Sequence, residues 1–396
     1  MTERPSAGRM LTVATLAFTF CFYAWSLLGP LGPDLQDHLG LSDLKLSILV
    51  SVPVLLGSVM RVPLGIATDR YGARVTFTAL MAWTLLPLVA LAIWHDSFGA
   101  VLALGFLLGF TGASFAVGVP YVSRWYPPER QGFALGIYGM GMGGTVLAGL
   151  TAPRISDAWG LTAPFIVAAG LLIVVGVAFV LIARDPPVPR PAPLSIGASL
   201  SAFRGAGSAR AWGLTLFYFL SFGGFVAMFL YLPKLLTSVF DLTKTDAGGR
   251  AAGFALLAVI ARPAGGILSD RVGAERVLRW SFLATALLAL CLAGTYKHIV
   301  TITIFCLALA VAFGLGTGAV FKLVAAWFPN RVGAVTGVVG AAGGLGGFFP
   351  PLAMGIVKDA TGNYVLGFVL LALVAAICLA TLARLSRVEL RPVAGA

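Results

Sequence analysis

Apolar residues run along this chain in stretches of about 20, with hardly a charge inside them. The runs begin near Leu11, Leu46, Val75, Phe98, Gly132 and Leu161, and again near Ala211, Gly249, Val277, Val300, Gly333 and Tyr364. A helix crossing the hydrocarbon of a bilayer needs about 20 such residues. The pattern therefore predicts an all-α membrane protein with twelve spanning helices in two sets of six. Twelve such spans occupy roughly 240 positions, which agrees with a chain of 396 residues that is 59% hydrophobic. The first run follows Arg4 and Arg9, as the core of a signal peptide would. It is too long for one and no small-residue cleavage site stands out, so it reads as an uncleaved first helix.

Composition sharpens this. Only 11% of residues are charged, against about 25% in a soluble domain. That excludes a cytoplasmic enzyme and a nucleic-acid binder despite the net charge of +12, and the apolar fraction excludes disorder. The basic residues are unevenly placed. With both termini inside, the cytoplasmic set is Arg4, Arg9, Arg70, Arg74, Arg124, Arg130, Arg184, Arg190, Arg204, Arg210, Arg271, Arg276, Arg279, Arg331, Arg384, Arg387 and Arg391. The opposite side holds Lys45, Arg154, Lys234, Lys244, Arg250, Lys297 and Lys358. Seventeen against seven is the bias expected of cytoplasmic loops, with attraction to anionic lipid as a by-product. Cys21, Cys291, Cys306 and Cys378 fall inside apolar runs without ligand spacing and read as buried free thiols. No metal and no cofactor is expected.

The longest predicted connection, residues 184–210, carries Pro186, Pro187, Pro189, Pro191 and Pro193, a composition that favours an extended linker. It separates a six-helix bundle over 1–183 from a second over 211–396. The two echo each other. Gly65-Ile-Ala-Thr-Asp69-Arg70-Tyr-Gly72 matches Gly266-Ile-Leu-Ser-Asp270-Arg271-Val-Gly273, and Trp125-Tyr-Pro127 matches Trp327-Phe-Pro329. Gly132, Gly136, Gly139 and Gly143 match Gly333, Gly337, Gly340 and Gly344, and Asp157-Ala-Trp-Gly160 matches Asp359-Ala-Thr-Gly362. Two pseudo-symmetric bundles point to a transporter whose site involves both repeats.

Arg61, Arg262 and Lys322 lie within apolar runs. An arginine at the bilayer centre costs at least about 2.5–3.5 kcal/mol. Arg61 precedes Asp69 by eight residues and Arg262 precedes Asp270 by eight. That is roughly 12 Å of helix, close to the midplane of a core about 30 Å thick. The two arginines should face each other across a central cavity. All fifteen acids fall at helix ends, in loops or in tails, and His38, His95 and His298 lie in loops of the other side. Two midplane cations call for an anion, and the planar guanidinium fork suits a flat oxyanion. The plainer reading is that backbone carbonyls satisfy the arginines. Lys322, five residues before Trp327, either snorkels to the interface or has a function.

Gly65 to Arg74 resembles the G-x-x-x-D-R-x-G-x-[RK] loop of the major facilitator superfamily. The second copy has Glu275 where Arg74 would be matched. The resemblance implies the major facilitator fold, with Asp69, Arg70, Arg74, Asp270 and Arg271 forming a conformational latch. In it the two carboxylates pair with basic groups or helix ends. A narrower resemblance, to the nitrate/nitrite porter (NarK-type) family, rests on the glycine-rich stretches Gly136–Gly144 and Gly337–Pro351. It implies that Arg61 and Arg262 bind the anion, that Phe115, Tyr218 and Phe222 shape the site, and that Gly141, Gly144, Gly343 and Gly344 line it. Met142 stands where that family commonly has an asparagine. A thioether cannot donate to an oxyanion, which bears on the choice between nitrate and nitrite.

These implications amount to a secondary transporter of nitrate and nitrite in a bacterial inner membrane, a monomer with both termini cytoplasmic. The absence of acids and histidines from the spans favours nitrate/nitrite exchange. The alternatives are a proton-coupled nitrate importer and a porter for another small anion, such as cyanate or a short carboxylate. A membrane enzyme or anion sensor is the reading of a different class. No cluster for chemistry and no nucleotide loop supports it.

Overall fold

The computed structural model describes residues 6–186, 200–204, 208–242 and 244–389. Pro187, Pro189, Pro191 and Pro193 of the expected linker lie outside them. Among the described residues, twelve helices are long and apolar enough to span a bilayer. In the first half they are α1 (Ala7–Trp25), α2 (Ile48–Tyr71), α3 (Ala73–Ile93), α4 (Phe98–Trp125), α5 (Pro128–Trp159) and α6 (Ala163–Ile182). In the second they are α7 (Ser208–Phe229), α8 (Asp246–Val272), α9 (Ala274–Thr295), α10 (Ile299–Trp327), α11 (Pro329–Pro350) and α12 (Val365–Ser386).

Two compact units result. The first comprises residues 1–127, 137–199 and 330–341; the second comprises 128–136, 200–329 and 342–396. Each therefore takes the opening turns of a glycine-rich helix, α11 or α5, from the far half of the sequence. Within the first unit α2 packs on α4, α3 on α6, and α1 on α4, α5 and α6. The second pairs α8 with α10 and α9 with α12, repeating the first two pairings. The α2–α3 and α8–α9 bends are also repeats of one another. Gly72 has φ +88° and Gly273 has φ +90°, a region open to glycine and strained for any other residue.

Leu86, Ile166, Val174, Leu181, Leu287 and Ile304 are all exposed. So large an apolar surface marks contact with lipid tails, not water. Cys21, Cys306 and Cys378 are buried free thiols, but Cys291 is exposed. An apolar run says that a residue lies in the hydrocarbon layer and is silent on whether it points inwards or at lipid.

Several spans are locally irregular. α2 is interrupted at Met60, between helical stretches Asp43–Val59 and Arg61–Tyr71. Pro63 has no N–H to give to the Val59 carbonyl. α4 carries a 3-10 segment at Gly109–Ala113 and α5 another at Met140–Gly143, both where glycine weakens the helix. α7 contains a π-turn at Phe219–Gly223.

Candidate functional site

Several of the candidate residues sit at these interruptions. Arg61 follows the break in α2, Phe115 follows the 3-10 segment of α4, and Met142 is inside that of α5. Tyr218 precedes the π-turn of α7 and Phe222 belongs to it. Turns that depart from i→i+4 bonding re-aim side chains and leave carbonyls available to other donors.

Arg61 uses one such carbonyl and a second from an uninterrupted helix. It is 2% exposed, and its Nε donates to Gly112 O of the α4 3-10 segment at 3.2 Å while Nη1 donates to Gly340 O of α11 at 2.5 Å. Close packing fixes this arrangement. A Cβ at Gly337 would come within 2.9 Å of Val62 Cα, and one at Gly112 within 2.7 Å of Trp25 Nε1. The Trp25 indole in turn donates to Pro53 O at 3.1 Å. The carbonyl-satisfied reading of Arg61 is thus met in part. Carbonyl oxygens accept hydrogen bonds but have no formal charge, so they hold the guanidinium without neutralising it.

Arg262 occupies the matching position of α8, 3% exposed. Its Nη2 donates to Tyr218 Oη in a long bond of 3.5 Å. The backbone around it is gripped as that around Arg61 is: a Cβ at Gly136 would lie 2.8 Å from Pro263 Cα and 3.0 Å from Arg262 O. Tyr218 stacks on Phe222 with centroids 5.0 Å apart and an interplanar angle of 4°, and meets Phe321 edge-on at 4.7 Å. Gly343 makes room for this pair, since a Cβ there would lie 3.1 Å from Phe222 Cδ1.

The other candidates fall into two kinds. Phe115 packs against Phe18 at 5.5 Å and Tyr138 at 5.9 Å, an aromatic group that also includes Gly141, whose missing Cβ admits the Phe18 ring. Gly144 lets the α1 backbone approach, with Tyr23 N 2.7 Å from where its Cβ would be. Gly141 and Gly144 therefore act first as packing positions between α5 and α1. Met142 is 6% exposed, and Gly344 is buried within α11.

The latch candidates divide as well. Asp69 Oδ1 pairs with Arg124 Nη2 at 2.9 Å, and the carboxylate accepts from Gly333 N at 3.3 Å and Ala334 N at 3.0 Å. Asp270 does the same in the second unit. Its Oδ1 pairs with Lys322 Nζ at 2.6 Å, and it accepts from Gly132 N at 2.9 Å and Phe133 N at 2.7 Å. Each carboxylate thus caps the first turn of a glycine-rich helix, where free N–H groups and the helix dipole favour negative charge. Lys322 also donates to Pro128 O. Arg74 Nη2 donates to Val180 O at 2.9 Å, Arg70 lies over the ring of its neighbour Tyr71, and Arg271 is exposed. Sequence reasoning missed Arg124 and Lys322 as the partners. The repeat offered a poor signal, because Arg124 adjoins its tryptophan whereas Lys322 is five residues from its own.

Two repeated sets of six helices, each with a deeply buried arginine at the matching position, define a membrane transporter. A sequence profile described as Major Facilitator Superfamily matches residues 14–252 and 236–395. The chain is 40% identical over 365 residues to the probable nitrate/nitrite transporter NarK2 of Mycobacterium tuberculosis, covering 91% of this chain and 92% of that one. It is 37% identical to the nitrite extrusion protein of Bacillus subtilis, over 92% of this chain and 91% of the relative. It is 36% identical to the probable nitrate transporter NarT of Staphylococcus aureus, over 98% of both. Among solved structures it resembles the human organic anion transporter MFSD10 (TETRAN), with TM-score 0.80, 17% identity and coverage of 96% and 100%. It also resembles the transporter FucP in the outward conformation, with TM-score 0.74, 18% identity and coverage of 95% and 99%. The chain belongs to the Major Facilitator Superfamily and, within it, to the nitrate/nitrite porter (NarK-type) family.

Proposed function

We propose that this transporter carries nitrate and nitrite by alternating access, with Arg61 and Arg262 as the two ligands of the anion. The observation that carries the reading is the pair of buried guanidiniums, 2% and 3% exposed, at matching positions of the two repeats. A guanidinium donates two parallel hydrogen bonds to a flat oxyanion, and Tyr218, Phe222 and Phe115 supply apolar walls that strip it of water. Relatives at 36–40% identity named for nitrate or nitrite transport support the choice of anion. One chain carries both arginines, so the monomer is a complete transport unit. The bias of basic residues supports cytoplasmic termini in a bacterial inner membrane. The Asp69 and Asp270 latches then stand at the cytoplasmic ends of α2 and α8.

Exchange is the proposed mode. The sequence offers no carboxylate or histidine at the depth of the arginines, so the protein supplies no obvious proton carrier there. An anion offsets charge at the site and eases the passage of the loaded carrier. In proteoliposomes at equal pH, counterflow with nitrite or nitrate inside should exceed net uptake into empty vesicles several-fold. Uptake that requires an inward proton gradient would overturn exchange, and no uptake of either anion in any mode would overturn the substrate.

A further inference from the structure

We infer that His38, His95 and Asp96 form a binding site for a borderline divalent metal ion of the Zn2+ class, at the end of the first unit away from Asp69. The three come from two separate connections. His38 lies in the last turn of the short helix Gly32–Leu39, which precedes α2, and His95 and Asp96 lie between α3 and α4. Their ligand atoms all fall within 4.8 Å of one another. The imidazole rings are 5.7 Å apart between centroids, and His38 Nε2 lies 2.8 Å from Asp96 Oδ1.

The chemistry of each group suits a metal. His95 Nδ1 is 3.1 Å from Leu91 O. A carbonyl only accepts, so Nδ1 is the protonated nitrogen and Nε2 of the neutral ring keeps its lone pair. Metal-bound histidines are oriented in this way, by a carbonyl holding the other nitrogen. Asp34 lies one turn before His38 on the same helix, and adds negative charge to that face. A metal entering would replace the His38 Nε2–Asp96 hydrogen bond, the ring proton moving through solvent to His38 Nδ1 so that Nε2 offers its lone pair. Tetrahedral ligands at about 2.0–2.1 Å are roughly 3.4 Å apart. The cluster reaches that spacing by small rotations of side chains with room to move in solvent, and water completes the coordination. Two imidazoles and one carboxylate select Zn2+, Cu2+ or Ni2+ over Ca2+ and Mg2+.

Bound metal would tie the connection before α2 to the connection between α3 and α4. The test uses purified full-length protein with any histidine tag removed, titrated with Co2+ and then with Zn2+. Visible Co2+ absorption bands should appear with 1:1 stoichiometry and be displaced by Zn2+. Calorimetry with Zn2+ should give one site that His38→Ala and His95→Ala each weaken at least tenfold, while His298→Ala leaves it unchanged. Asp96→Asn, which keeps shape, should also weaken it, and metal should raise the melting temperature of wild type alone. Absence of Co2+ bands in the wild type, or a Zn2+ site of equal affinity in the His38→Ala/His95→Ala double variant, overturns the assignment.

Discussion

Lys322 Nζ lies 2.6 Å from Asp270 Oδ1, doing for α8 what Arg124 does for Asp69 on α2 at 2.9 Å. The lysine reaches its partner from further inside its helix, and both side chains are 15% exposed or less. Removing one member of such a pair leaves the other charge poorly compensated, at a cost of about 3–5 kcal/mol when fully buried. Lys322→Met should therefore shift the conformational equilibrium tenfold or more, seen as faster labelling of a reporter cysteine beside Gly132, whereas Lys322→Arg should restore most of the protection. Equal labelling of all three proteins would show that the contact carries no conformational weight.

Arg61→Lys and Arg262→Lys should each nearly abolish transport, because lysine keeps the charge and loses the planar fork. Their effects on stability should differ. A single ammonium cannot reproduce the separated Nε and Nη1 bonds to Gly112 and Gly340, so Arg61→Lys should lower the melting temperature more than Arg262→Lys. Near wild-type uptake by either variant would remove that residue from the anion site.

Gly337→Ala and Gly136→Ala insert a methyl where backbone atoms lie within 3.0 Å. Overpacking of this kind costs roughly 1–3 kcal/mol. Both should lose stability and transport, while Gly170→Ala, with nothing within 4 Å of its Cβ, should match wild type. Thermal unfolding of the three proteins side by side decides it.

Met142→Asn replaces a thioether with an amide that can donate. If the side chain faces the anion, affinity for either nitrate or nitrite should rise. Unchanged inhibition constants for both would place residue 142 in helix packing alone.

The spans and the repeat could be read from the sequence because hydrophobic length and matched motifs are properties of the chain itself. Runs beginning near Phe98 and Val300 correspond to helices starting at Phe98 and Ile299. Arg61 and Arg262 stood out for the same reason, as charges in apolar runs. Tyr218 beside Arg262 came from the family resemblance, but the partners of Arg61 left no such signal. The Gly112 and Gly340 carbonyls become acceptors only because α4 is interrupted and α11 comes close, and a carbonyl leaves no mark in a sequence. Nor did His38 and His95 form a motif, being 57 residues apart; only the fold of two connections brings them together.

The exchange of helix openings between the two units bears on the order of synthesis. When the ribosome has finished residue 199, the first unit still lacks residues 330–341. The Gly340 carbonyl that receives Arg61 and the Gly333 and Ala334 amides that cap Asp69 do not yet exist. An emerging first half must hold a buried arginine and an aspartate in the bilayer without these partners until most of the chain has been inserted. The first half cannot reach its final packing alone, so the first unit is completed only when the eleventh helix arrives.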